Sequence, residues 1–189
     1  FNIILSGKLY VVTCTACIRK SLLDEFMEKE KYIAENPQIL QGDAPRWLYI
    51  SHKNKIHYFN EILATYRILP ESASHSRSKE KSLAFHESSL KVRMYFAEKY
   101  GASKEIRNML EIKYLTVLIY AAYRRNDRKG AKNAYQKLKT FNYTLSTQQW
   151  FFYFAAQSKI FKNIMFPFIC IRRKYIIIMK KLQNRSIVL

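Results

Sequence analysis

Asp127 is the last acidic residue of this chain. The 62 residues from Arg128 to Leu189 contain 13 Lys or Arg and no Asp or Glu. A folded surface normally mixes both signs, so a stretch this long with only one sign cannot neutralise itself and points to an anionic partner. Over the whole chain 33 Lys+Arg stand against 14 Asp+Glu, a formal charge of +19. Aromatic residues are interleaved with the basic ones, from Trp150 and Phe154 through Phe161 to Tyr175. Two partners suit such a pattern. A nucleic acid would place Lys and Arg on phosphates and rings on bases. An anionic membrane would place them on headgroups, with bulky apolar groups in the interface.

The clustering favours the membrane. Residues 164–171 form an apolar run, Arg172-Arg173-Lys174 follow, and then come the apolar residues 175–179 and Lys180-Lys181. Neither apolar block reaches the roughly 20 residues that a spanning helix needs. Lys159, Lys162 and Pro167 interrupt the segment from Trp150 to Ile171. The pattern describes a segment lying on a membrane, with Trp150, Phe161, Lys162, Arg172, Arg173 and Lys174 as its contact residues. The alternative is a buried C-terminal helix with a lysine-rich solvent face. Nucleic acid is not the expected partner, because no RNA-recognition or helix-turn-helix signature is present.

Composition excludes several classes. The 189 residues are 49% hydrophobic and 15% aromatic, too apolar for a mostly disordered chain. Three Cys exclude a disulfide scaffold. The first residue is Phe1 and no leader pattern follows, which suggests a chain cut from something longer. The abundance of Ile, Lys, Asn and Tyr suggests an AT-rich bacterial genome.

Along the chain, Lys8–Cys17 is rich in β-formers and reads as a strand. Ser21 is positioned to cap a helix from Leu22 to about Lys31. Asp43 is positioned to cap a helix reaching about His52, with Pro45 in its first turn. Lys55–Asn60 and Ile62–Leu69 read as two short strands. Pro70–Lys81 is a polar, serine-rich loop. Helices are expected over Ser82–Tyr100, Ser103–Arg125, Arg128–Phe141, Thr147–Met165 and Ile169–Leu182, the first ending at Gly101. The expected architecture is therefore α+β over residues 1–81, followed by a basic α-helical region over residues 82–189.

Three blocks in the first part, taken together, resemble family 2 glycosyltransferases. They are residues Val12–Lys20 (Thr13 to Arg19 at their centre), then Gln38–Ile50 with Gly42-Asp43-Ala44-Pro45-Arg46-Trp47, and then Lys55–Leu69 with Tyr66-Arg67, followed by the loop Ser72-Ala73-Ser74-His75-Ser76. The resemblance covers about a third of the chain. It implies the C-terminal acceptor half of a GT-A α/β domain, followed by a helical tail. It also implies inverting transfer of a sugar from a nucleotide-sugar donor to a glycan or lipid-linked acceptor, as in polysaccharide biosynthesis. Asp43 would then be the general base, Trp47 and Thr15 would bind the acceptor, and Arg67, His75 and Ser74 would bind the donor.

Each of these residues also has a plainer reading. Asp43 caps a helix, Trp47 packs in a core, and Arg67 and His75 are exposed. The family's Asp-x-Asp metal motif is missing, since Asp24, Asp43 and Asp127 are the only aspartates. Mg²⁺ or Mn²⁺ is therefore expected only for a full-length parent, no metal ligand is assignable in this chain, and the fragment is not expected to catalyse transfer alone. Cys14-x-x-Cys17 has redox or half-zinc spacing but lacks a second pair. Two functional readings remain: part of a glycosyltransferase, or a basic helical module for an anionic membrane or nucleic acid. Either would sit in the cytoplasm, peripherally on the inner face of the cell membrane.

Overall fold

The computed structural model describes residues 1–65, 67 and 78–164. Among them every regular element is a helix. Two compact units divide the chain, Phe1–Val117 and Leu118–Leu189. The first holds α1 (Asn2–Leu5), a 3-10 turn at Thr13–Thr15, α2 (Lys20–Lys29), α3 (Lys31–Ala34), α4 (Ala44–Lys53) and α5 (Lys79–Lys99). Helix α6 (Lys104–Arg125) runs through the boundary, and the second unit adds α7 (Arg128–Thr140) and α8 (Thr147–Gln157).

Local signals explain most of these boundaries. The Asp43 carboxylate accepts from Ala44 N–H at 2.8 Å, and Pro45 occupies the first turn of α4, where its missing N–H costs nothing. Basic His52 and Lys53 lie in its last turn, where they favour the helix dipole. The Ser78 hydroxyl accepts from Lys81 N–H to start α5. Beyond Tyr100 the chain leaves α5 through Gly101 at φ +60°, a conformation that favours glycine. Asp127 caps α7 through Gly130 N–H at 2.8 Å. A capping box joins Ser146 and Gln149 at the start of α8.

The core of the first unit gathers Leu5, Phe26, Leu48, Tyr49, Val92 and Phe96, all nearly fully buried. On α5 the buried residues Ser88, Val92 and Phe96 recur every four positions, so one stripe of the helix faces this core. Burial of each large apolar side chain contributes about 1.5–3 kcal/mol. Two charged groups are also buried here. The Glu30 carboxylate accepts from Tyr95 Oη at 3.0 Å, Lys99 Nζ at 2.7 Å and Tyr100 Oη at 3.1 Å. The Arg93 guanidinium donates to the Ile4 and Leu5 carbonyls, the open C-terminal end of α1. Burial pushes the Arg93 pKa down from its ordinary value. The second unit packs Ala122 and Tyr123 of α6 against Ala131 of α7 and Ala155 and Ala156 of α8.

The α+β expectation is overturned, and with it the GT-A architecture: no strand occurs among the described residues. Lys8–Cys17 does contain extended backbone, as at Val12 (φ −83°, ψ 114°) and Ala16 (φ −121°, ψ 137°). No neighbouring strand pairs with it, and the Thr13–Thr15 turn interrupts it. Lys55–Asn60 forms no regular element and no ladder, and the same holds for residues 62–65 of Ile62–Leu69. The β-forming side chains set the local backbone, but a sheet also needs a second strand within hydrogen-bonding distance. Helix α2 begins at Lys20, so Ser21 lies inside it and Arg19 is its uncapped N-cap. Thr147–Met165 is not one helix. Ser158 is extended (φ −142°, ψ 119°), and its hydroxyl accepts from Phe161 N–H, restarting the helix over 159–164. The helix expected over Ile169–Leu182 lies outside the described residues.

Candidate functional site

Of the glycosyltransferase-like residues, Thr15, Asp43, Trp47 and Arg67 fall among the described residues. Asp43 is exposed, and both carboxylate oxygens are engaged: Oδ1 accepts from Ala44 N–H and Oδ2 from Thr13 Oγ1 at 2.9 Å. It acts as a helix cap that also fastens the 3-10 turn to α4. Trp47 is only 6% exposed and belongs to the core of the first unit. One helical turn separates it from Asp43, yet it does not share Asp43's exposed surface. Thr15 is exposed and donates to the Val12 carbonyl at 2.8 Å. Arg67 is exposed on irregular backbone. Ser74 and His75 lie outside the described residues. A pocket of about 70 Å³ near the start of α4 is lined by Phe26, Ile33, Ile39, Pro45 and Arg46, and neither Asp43 nor Trp47 reaches it. Pockets that bury drug-sized ligands usually measure about 300–1,000 Å³. No group of three or more His, Cys, Asp or Glu among the described residues could hold a metal. Cys14 and Cys17 are both free and exposed.

The second unit brings different residues together. Its described part, residues 118–164, carries nine Lys or Arg and a single acid, Asp127. That acid is committed to capping α7. On α7, Lys129, Lys132 and Lys139 are exposed. Lys139 Nζ lies 4.9 Å from the centre of the Tyr135 ring, a cation–π contact one turn apart. Tyr135 packs edge-on against Trp150 at 5.1 Å and tilted against Tyr153 at 4.8 Å. Trp150 stacks on Phe154 at 5.3 Å, the i,i+4 spacing of one helical face. Phe154 then meets Phe161 across the Ser158 break at 6.0 Å. The result is a run of aromatic rings at the surface, edged by lysines.

Three large apolar side chains here are open to solvent: Phe154 (47% exposed), Ile160 (73%) and Ile164 (60%). Ile160 and Ile164 are four residues apart in the helical segment 159–164 and lie on one face of it. Lys159 is exposed beside them.

Of the membrane-contact residues expected from sequence, Trp150 and Phe161 are half-buried within the ring cluster. Lys162 points inward, donating to the Tyr123 carbonyl at 3.2 Å and to Asn126 Oδ1 at 2.8 Å. It holds segment 159–164 to the end of α6. Arg172, Arg173 and Lys174 lie outside the described residues. Tyr135 and Lys139 were not among the residues singled out from sequence, although their i,i+4 spacing on α7 marks them. No helix among the described residues is long and apolar enough to cross a membrane. No protein-family model, no curated protein and no solved structure matches this chain, so the resemblance to family 2 glycosyltransferases has no support there either.

Proposed function

We infer that the chain is a basic helical module that binds an anionic membrane surface through its second unit and carries out no catalysis itself. The observation that carries this reading is the set Phe154, Ile160 and Ile164, exposed within a unit whose described part carries nine Lys or Arg and a single acid. A surface of lysines alone would suit any polyanion. Exposed aliphatic side chains add a preference for a medium that takes up apolar groups, which nucleic acid does not offer to isoleucine. Lysine stems cover apolar surface while their ammonium groups reach outward, the geometry of a headgroup contact. The anionic leaflet this suits is the cytoplasmic one.

Co-sedimentation with vesicles tests the reading. The chain should pellet with phosphatidylcholine–phosphatidylserine vesicles and remain in solution with pure phosphatidylcholine, and binding should weaken as salt rises. Replacing Phe154, Ile160 and Ile164 together by Ala should lower affinity by about tenfold or more, because each partly inserted side chain contributes about 1 kcal/mol. Equal binding to both vesicle types, or a triple variant that binds as well as the parent, refutes the reading. So does tight binding to single-stranded DNA with no binding to vesicles.

A further inference from the structure

The first unit leaves one exposed, irregular segment without a backbone partner. From Lys55 to Asn60 the chain forms no helix or strand, and it bends at Glu61. Its side chains alternate as they do along a strand. The His57 and Phe59 rings meet at 4.6 Å, and Tyr58 Oη donates to Asn60 Oδ1 at 3.3 Å, so residues two apart share a side. Its apolar side chains are exposed: Ile56 45%, Tyr58 78% and Phe59 61%. Ile, Tyr and Phe are strong strand formers, and a strand with free edges is a template for pairing.

We propose that residues 55–61 pair antiparallel with the same residues of a second copy of the chain, forming a two-fold dimer centred on Tyr58. The charge pattern selects this partner and this register. With Tyr58 opposite Tyr58, Lys55 of one copy lies opposite Glu61 of the other at both ends, and His57 lies opposite Phe59. In a ladder of this register all four of these residues would project to one face. Opposite charges placed directly across an antiparallel pair favour that register, and like charges oppose it. The two-fold axis makes every favourable pair occur twice. Ile56 and Tyr58 of both copies line the other face and lose their exposure to each other. A two-stranded ribbon is weak alone, so the dimer forms and dissociates with concentration.

Light scattering on the full chain, across a concentration series, is the test. The mass should climb from 22.5 kDa toward twice that value. Glu61→Lys sets Lys against Lys at both ends and should weaken the dimer about tenfold. Adding Lys55→Glu to that variant restores opposite charges and should recover the parent dimer. Both positions are exposed, so folding is expected to be unaffected, which circular dichroism checks. Tyr58→Pro removes a backbone donor at the axis and should abolish association. A monomer at every concentration overturns the proposal. A dimer indifferent to these substitutions, or a double variant that is not rescued, overturns it equally.

Discussion

Replacing Glu30 is the most informative single perturbation of the first unit. Its side chain is 1% exposed, and its carboxylate holds the hydroxyls of Tyr95 and Tyr100 and the ammonium of Lys99, tying the α2–α3 junction to the end of α5. A hydrogen bond to a charged group is worth about 1.5–3 kcal/mol, but the desolvation of the carboxylate offsets much of three such bonds. Glu30→Ala also leaves Lys99 without its partner. The Lys99 side chain is 37% exposed and can turn to water, so the loss stays below the 3–5 kcal/mol typical of a broken buried pair. The expected cost is about 2–3 kcal/mol. Glu30→Gln keeps the shape and one acceptor and should cost roughly half of that. Urea unfolding followed by far-ultraviolet circular dichroism measures both. Lys99→Met in each background then gives the coupling, expected near 1 kcal/mol. A Glu30→Ala cost below about 0.5 kcal/mol would refute the argument that this carboxylate organises the junction.

Three further outcomes are expected. Glu25 accepts from Lys53 at 2.8 Å, Tyr49 at 2.9 Å and Lys29 at 3.1 Å, and these bonds, Lys53 first, hold its pKa at about 2 against an ordinary 4.5. Its contribution is therefore complete above pH 4.5 and is lost as pH falls from 4.5 toward 2. Thermal midpoints should fall less over that window in Glu25→Gln than in the parent, and an identical fall contradicts the assignment. Arg93→Met leaves the Leu5 carbonyl without its donor, and the Ile4 carbonyl with only Gly7 N–H, and should cost about 1–3 kcal/mol. Hydrogen exchange should show α1 opening while α5 stays protected, and uniform loss of protection would count against a local role. At Gly130 an added Cβ falls within 2.8 Å of Asp127 Cγ and displaces the cap. The helix-propensity gain of Gly130→Ala, about 1 kcal/mol, then nearly cancels the lost cap, and the same change should stabilise by about 1 kcal/mol in an Asp127→Ala background. Calorimetry that finds equal effects in both backgrounds contradicts the cap geometry.

The elements legible in the sequence were those specified by neighbours in the chain. The Gly42-Asp43-Ala44-Pro45 start put α4 within a residue of its true ends, because a cap and a first-turn proline act over four positions. Gly101 marked the end of α5 for the same reason. The strands failed because pairing is not a local property: Lys8–Cys17 and Lys55–Asn60 have the propensity, but no described strand lies beside them. The break at Ser158 was missed because a serine is tolerated inside a helix unless its hydroxyl finds the next turn's N–H, as it does with Phe161. In the candidate site, the excess of cations and rings was visible in the sequence. The inward turn of Lys162 onto Tyr123 and Asn126 was not, since it depends on where α6 ends.

The chain has two tryptophans, and they fall in different units. Trp47 is sealed in the core of the first unit, whereas Trp150 is half-buried beside the exposed rings of the second. Intrinsic fluorescence therefore carries two separable signals. Trp150→Phe leaves an emission that reports only the integrity of the first core. Trp47→Phe leaves one expected to shift to the blue on anionic vesicles if the second unit docks there as proposed. One pair of single substitutions thus supplies label-free reporters, one for the folding of the first unit and one for the proposed docking of the second.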